Sequence, residues 1–170
     1  FITDVCKRIE SAARMWTLPP AFFARLIWKE SRFDPNAVSP VGASGIAQFM
    51  PGTAKLRNLD DPFDPRSALP ASAHYLSDLR NQFGNLGLAA AAYNAGPNRV
   101  LRWQRGETGL PGETQNFVAT ITGYSPQEWN GDTRPKANYT LDAKLSFIEA
   151  CSKLPIRSFK PRLQYAAAPW

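Results

Sequence analysis

The chain has 170 residues, of which 44% are hydrophobic and 20% charged, with a formal net charge of +6. This composition is typical of an ordinary globular protein large enough for one domain with a real core. No apolar run reaches the roughly 18 residues that a membrane span needs, and no basic-apolar-small leader is present. We therefore expect no transmembrane segment, and a chain from which any signal peptide has been removed.

The elements predicted in chain order are almost all helices, separated by Pro and Gly. No run alternates like a strand and there is no internal repeat, so the predicted fold is all-α with little or no β, as a single domain over residues 1–170. A Gly- and Ser-containing connection covers residues 35–50, and a Pro- and aromatic-containing tail follows the last helix. The predicted helices cover residues 3–17, 20–31, a short stretch from Pro51, and 65–83, 86–95, 97–104, 113–123 and 140–152.

Glu30 is a lone carboxylate on an apolar helix face. At about 100° per residue, the side chains of Phe23, Leu26, Ile27 and Glu30 fall within one narrow arc. Desolvation penalises an ionised carboxyl group in such a position, and a raised pKa suits a general acid. The alternative is that the apolar face ends at Ile27 and that Glu30 lies near solvent at the helix edge.

The sequence offers few candidate residues for other types of reaction. His74 is the only histidine, so a Cys-His or Ser-His pair would have to use it, and nothing marks it as a base. One His and two distant Cys do not form a ligand set, so we expect no metal and no cofactor. Asp34 is the obvious second carboxylate for a two-acid glycosidase, but Asp before Pro is also ordinary turn chemistry. The local sequence offers one good acid and no convincing partner.

Cys6 and Cys151 are the two cysteines, near opposite ends of the chain. They could be two free buried thiols, as a cytosolic protein would keep them. They could equally form a disulfide in an oxidising compartment.

The net positive charge also has two interpretations. It fits a mildly basic surface with no partner, or attraction to an acidic cell-surface polymer. Lys and Arg form no dense run, so we expect no nucleic-acid partner.

Three stretches carry a family resemblance. After Glu30-Ser31 come Gly42-Ala-Ser-Gly-Ile-Ala-Gln-Phe-Met-Pro-Gly-Thr-Ala54, then Ala92-Tyr-Asn-Ala-Gly96, then Glu113-Thr-Gln-Asn-Phe-Val118. In this order and spacing they resemble the catalytic domain of the soluble lytic transglycosylases, a goose-type-lysozyme-like family that cleaves bacterial peptidoglycan. The resemblance covers about residues 20–120 and leaves residues 124–170 as an additional C-terminal helical extension packed on this core.

The resemblance implies a role for each matching residue. Glu30 becomes the single catalytic acid and base, and the remaining matches become glycan contacts. Two positions depart from the family pattern: Ala47 stands where Met is usual, and Phe117 stands where Tyr is favoured, which removes a hydroxyl group. The implied glycan contacts are Ser39, Gln48, Met50, Tyr93, Asn94, Glu113 and Phe117.

The implied reaction needs no second carboxylate. Glu30 would protonate the β-1,4 glycosidic oxygen between N-acetylmuramic acid and N-acetylglucosamine, and the 2-acetamido oxygen of the substrate would assist at C1. Glu30 would then accept the C6 hydroxyl proton as a 1,6-anhydromuramoyl end forms. Two alternatives stay open: a hydrolytic muramidase or chitinase, and a non-catalytic glycan-binding or assembly module of a secretion or flagellar apparatus.

The resemblance also bears on location and on the cysteines. Peptidoglycan lies outside the cytoplasmic membrane, so the family implies a periplasmic or otherwise exported protein whose partner is the glycan strand. In that compartment a Cys6–Cys151 disulfide is favoured over free thiols. We expect a monomer, with cell-wall, secretion or flagellar assembly as its setting.

Overall fold

The computed structural model describes residues 1–156. Within that range the secondary structure is helical, and the only β features are isolated bridges that join Ser44 to Val38 and to Phe49. The predicted all-α class is confirmed. None of the helices in the described range has the length and hydropathy of a membrane span. The helices are α1 (Ile2–Met15), α2 (Pro20–Ser31), α3 (Pro51–Leu56), α4 (Pro65–Phe83), α5 (Leu86–Ala95), α6 (Pro97–Gln104), α7 (Gly112–Thr122), α8 (Pro126–Trp129) and α9 (Phe147–Ser152).

The chain forms two compact units. Among the described residues, the first contains Phe1–Ala73 and residues 140–156, and the second is His74–Tyr139. The boundary falls inside α4, so one helix contributes to both units. The prediction of one domain over residues 1–170 stays a prediction.

In the first unit, α2 packs against α1 and α9. The apolar face of α1 is buried, as its helical spacing predicts. Cys6 and Cys151 are fully buried and form a disulfide with a Cα–Cα distance of 6.0 Å, which confirms the second of the two alternatives. Because the bond closes a loop with a sequence separation of 145, it removes unfolded-state entropy worth about 4–5 kcal/mol in the chain-entropy model.

The second unit is built around α5, which contacts α6, α7 and α8. Residues 87–92 of α5 are all buried, and their small side chains allow other helices a close approach. Asn85 is the N-cap residue of α5. Its side chain accepts a hydrogen bond from the Leu88 backbone N–H at 2.8 Å and donates to the Trp129 carbonyl at 3.0 Å. One residue therefore both caps α5 and fixes α8.

The predicted helix over 140–152 is wrong in its first half, because α9 begins only at Phe147. The Asp142 side chain accepts a hydrogen bond from the Lys144 backbone N–H, which makes a local turn. Ser146 then caps α9 in a reciprocal capping box with Glu149. The one-turn helix α8 was not predicted. Of the predicted extension over 124–170, residues 157–170, including the tail, lie outside the described residues.

Candidate active site

Glu30 lies in the last turn of α2. Phe23, Leu26 and Ile27, the other members of its predicted arc, are fully buried. Glu30 itself is half-buried. The carboxyl group therefore stands where the apolar face of the helix meets partly exposed surface, a setting between the two alternatives that the sequence left open.

The next residue joins α2 to the connection that follows it. Ser31 is 4% exposed, and its hydroxyl donates to the Ile46 carbonyl at 2.7 Å. The α2 helix ends at Ser31, and its C-cap residue Arg32 adopts the left-handed conformation with φ 56°. The Glu-Ser pair thus couples a half-buried carboxyl group to a buried hydroxyl that anchors the end of its helix.

The connection over residues 37–50 is folded tightly by backbone hydrogen bonds. Gly45 donates to the Ala37 carbonyl at 2.8 Å and has φ +77°. A Cβ atom at this position would collide with the Pro62 carbonyl group, so the close approach and the positive φ both require glycine. This explains the second glycine of the Gly-Ala-Ser-Gly stretch.

Gln48 holds the same connection from its other end. Its backbone has φ 52°, which is uncommon for a residue with a side chain. Its amide group donates to the carbonyl oxygens of Ala37 at 3.1 Å and Gly45 at 2.9 Å. These bonds stabilise the strained conformation, so Gln48 shapes the connection whatever else it contacts.

Two further predicted residues lie on this connection. Ser39 is half-buried, and its hydroxyl accepts a hydrogen bond from the Ala43 backbone N–H at 3.0 Å. Met50 is 42% exposed and directly precedes α3. The first unit therefore holds Glu30, Ser39, Gln48 and Met50 on α2 and on the connection tied to its end.

Asp34 has a structural partner of its own. It is 7% exposed, and its carboxylate accepts a hydrogen bond from the Asn36 backbone N–H at 2.8 Å. This bond spans two residues and is the turn chemistry that Asp before Pro indicates. Asp34 thus serves the turn after α2.

In the second unit, Tyr93 and Asn94 lie in the last turn of α5, both half-buried. The Thr114 hydroxyl donates to the Asn94 side-chain oxygen at 2.8 Å, and Thr114 is only 1% exposed. The bond fixes which way the Asn94 amide group faces. The Tyr93 ring lies 5.6 Å from the Tyr75 ring, centroid to centroid. Sequence reasoning missed Thr114, although it lies inside the Glu-Thr-Gln-Asn stretch.

Glu113 and Phe117 lie one turn apart on α7 and differ in exposure. Glu113 is exposed in the first turn, where a negative charge suits the helix N-terminus. Phe117 is 3% exposed, so its ring packs inside the second unit. A glycan contact by Phe117 stays a prediction. Its burial favours a structural role, in which the ring packs under α7 near Thr114.

His74 lies on α4, and its Nε2 atom is 3.7 Å from the Asp78 carboxylate, one helical turn away. Both side chains are about half exposed. Within the described part of the chain, no group of three or more His, Cys, Asp or Glu side chains could hold a metal ion.

Comparison with known proteins shows the family to which the chain belongs. Residues 7–116 match the model of the Transglycosylase SLT domain. The match contains Glu30, the 37–50 connection, and the Asn94–Thr114 pair. The chain therefore belongs to the transglycosylase SLT domain family.

The relatives give the same result. The chain is 32% identical over 143 residues to the soluble lytic murein transglycosylase of Escherichia coli K12, covering 71% of this chain and 22% of that protein. It is 29% identical to the transglycosylase of Enterobacteria phage PRD1, covering 69% of this chain and 44% of the phage protein. An X-ray structure of an inactive mutant of the lytic transglycosylase Slt from Pseudomonas aeruginosa, in which Gln replaces a Glu, aligns with a TM-score of 0.60 at 32% identity. That alignment covers 68% of this chain and 22% of the other. The chain thus spans about a fifth of the length of the two bacterial relatives.

Proposed function

We propose that this chain is a lytic transglycosylase of peptidoglycan. It cleaves the β-1,4 bond between N-acetylmuramic acid and N-acetylglucosamine and leaves a 1,6-anhydromuramoyl end. The observation that carries the proposal is the family match over residues 7–116, which contains Glu30 in its half-buried place on α2. In the Pseudomonas aeruginosa relative, a single Glu-to-Gln change accompanies loss of activity.

The first step is the breaking of the glycosidic bond. The Glu30 carboxyl group donates its proton to the glycosidic oxygen, which departs as the 4-hydroxyl of N-acetylglucosamine. The 2-acetamido oxygen of the muramoyl sugar bonds to C1 as that bond breaks, so no protein nucleophile is needed. The half-buried position of Glu30 at the edge of an apolar face supports this step, because desolvation favours the neutral acid.

The second step closes the anhydro ring. The Glu30 carboxylate takes the proton from the C6 hydroxyl, the C6 oxygen bonds to C1, and the acetamido oxygen leaves C1. Glu30 returns to its protonated form, and water is neither consumed nor released. One group acts as acid and then as base, which is efficient when its pKa lies near the working pH.

The remaining predicted residues bind and orient the glycan in this proposal. Because Thr114 occupies the Asn94 side-chain oxygen, the Asn94 amide N–H groups serve as donors to a glycan oxygen. Ser39 and Tyr93 orient the acetamido group and C1. Gln48, Met50, Glu113 and Phe117 are further glycan contacts in this proposal.

We further propose that the protein works outside the cytoplasmic membrane, as a monomer on glycan strands or within a wall-spanning assembly. The Cys6–Cys151 disulfide supports this location, because disulfides persist in oxidising compartments. The +6 charge suits an anionic wall polymer.

The test is Glu30→Gln, assayed as the loss of turbidity of purified cell walls. This variant keeps the shape of the side chain but cannot donate or accept the proton, so lysis should fall to background while the melting temperature changes little. Glu10→Gln is the matched control, because Glu10 lies on α1, where it forms an ion pair with the exposed Arg14 side chain. Wall lysis by Glu30→Gln at the wild-type rate would overturn the proposal.

A further inference from the structure

Three side chains of α2 form a row of donors directed at other segments of the first unit. Arg25 donates through a terminal nitrogen to the Thr140 carbonyl at 2.9 Å. The Trp28 indole N–H donates to the Pro155 carbonyl at 2.8 Å, and the Ser31 hydroxyl donates to the Ile46 carbonyl at 2.7 Å. Positions 25, 28 and 31 are three residues apart, so they follow one face of the helix over two turns.

This row sets the rotation of α2 about its axis. A slip of one residue turns a helix by about 100°, which would carry all three donors away from their acceptors at once. Glu30 lies on the same helix between Trp28 and Ser31 in the sequence, so a rotation of α2 that breaks these bonds also turns Glu30. Arg32 adds to the row, because its guanidinium stacks over the Trp28 ring, 3.8 Å from the ring centroid.

Two of the three acceptors belong to residues 140–156, which we call the C-terminal strap. The strap lies beyond residue 116, where the family match ends. It is bonded covalently to α1 through Cys6–Cys151, and its helix α9 packs against both α1 and α2. The strap therefore holds two fixed carbonyl oxygens against α2 in this chain.

We propose that Arg25 and Trp28 are positioning residues which, through the C-terminal strap, hold α2 at the rotation that aims Glu30 at the glycosidic oxygen. The proposal rests on the proposed function for its kinetic readout. A second consequence does not depend on catalysis: in this proposal the strap determines the surroundings of the Glu30 carboxyl group. A displacement of about 1 Å at a catalytic group can lower the rate about a hundredfold.

The test compares Trp28→Phe, which keeps a ring beneath Arg32 but removes the N–H donor, with Arg25→Met and Arg25→Lys. Trp28→Phe and Arg25→Met should each lower kcat about tenfold and change KM by no more than about twofold. Arg25→Lys keeps a donor and should retain kcat within about threefold. Trp103→Phe, a half-buried tryptophan of α6 outside this row, should behave as wild type.

A second readout separates positioning from stability and from the proposed function. The pKa of Glu30, measured by NMR titration of its labelled carboxyl carbon, should differ between the wild type and Trp28→Phe and stay unchanged in Trp103→Phe. An unchanged kcat and Glu30 pKa in Trp28→Phe, with only a lower melting temperature, would overturn the proposal, as would an Arg25→Lys as impaired as Arg25→Met. If the wild type fails to lyse walls, the proposed function fails, and the titration alone still tests the strap.

Discussion

Asp34 is the obvious candidate for the second acid that a hydrolase would use to position water, although another acid could take that role. Its carboxylate is occupied by the Asn36 backbone N–H. Asp34→Asn keeps an oxygen that can accept this bond but loses the charge, so we expect wall lysis within about threefold of wild type and little change in melting temperature. Asp34→Ala should lose about 1–2 kcal/mol of unfolding free energy, because the backbone N–H of the half-buried Asn36 loses its partner.

Turbidity assays and thermal melts of the two Asp34 variants check this prediction. Loss of lysis in Asp34→Asn at an unchanged melting temperature would give this carboxylate a catalytic role and favour a hydrolytic muramidase.

Gly87 shows how strictly one position of α5 is specified. A Cβ atom there would collide with the Trp129 ring, which is 6% exposed and donates its indole N–H to the Thr122 hydroxyl at 2.9 Å. Gly87→Ala should therefore displace the ring and lower the unfolding free energy by about 1–3 kcal/mol, measured by urea denaturation. Gly112→Ala is the control, because no described atom beyond its chain neighbours and its own helix backbone lies within 4 Å of the added Cβ atom. It should be neutral or slightly stabilising, and equal losses in the two variants would contradict the packing described for α5.

At the scale of elements, the disulfide makes the strap part of the first unit. Replacing Cys6 and Cys151 together by alanine should lower the unfolding free energy by about 4–5 kcal/mol, because the unfolded chain regains the entropy of a long loop. Denaturation of oxidised wild type, reduced wild type and the double variant checks this. Identical midpoints for the oxidised and reduced proteins would show that the bond does not constrain the unfolded chain as described.

The capping box of α9 gives stability that depends on pH. Hydrogen bonds from the Ser146 hydroxyl and backbone N–H lower the pKa of Glu149 below its ordinary value, with Lys153 adding a smaller effect. Because the folded-state pKa is lowered, this stabilisation is fully present above the unfolded-state pKa of Glu149. It is lost as the pH falls through the lower folded-state value.

Glu149→Gln should therefore reduce the urea midpoint at neutral pH, and its difference from wild type should disappear in acid. Midpoints measured across the acidic range check this. A difference that stays constant down to the lowest pH would mean that the Glu149 charge is not what stabilises the cap.

Several elements could be predicted from the sequence because their limits are set by local chemistry. The helix over 86–95 was predicted with its observed limits, since Gly96-Pro97 ends it, and α4 follows its Pro65 start and Gly84 stop. The error at 140–146 has the opposite cause: Leu141 and Leu145 are spaced as in a helix, but the Asp142 turn and the Ser146 cap use the backbone N–H groups first.

In the candidate site, too, some features could be predicted from the sequence and others could not. Glu30 could be proposed from its place in an apolar arc, and the family resemblance supplied its companions. The Ser31–Ile46 and Thr114–Asn94 hydrogen bonds could not be predicted, because each joins segments that only the tertiary fold brings together. The attachments of α2 to the strap are long-range for the same reason.

At the scale of the whole molecule, the predicted residues divide between the two units, and each unit fixes its own set. The first unit holds Glu30 through α2, the 37–50 connection and the strap, and the second holds Asn94 through the buried Thr114. The strap lies outside the 7–116 family match. This chain therefore combines the SLT domain of its family with hydrogen bonds from a strap outside the family match to α2, the helix that carries Glu30.

Cleavage of the glycan by Glu30 alone and without water is tested most directly by the mass of the products. Purified walls are digested in water enriched in oxygen-18, and the released muropeptides are analysed by mass spectrometry. The wild type should release 1,6-anhydromuramoyl ends, one water lighter than reducing ends and free of the label, and Glu30→Gln should release none. Hydrated muramoyl ends that carry oxygen-18 would contradict the account.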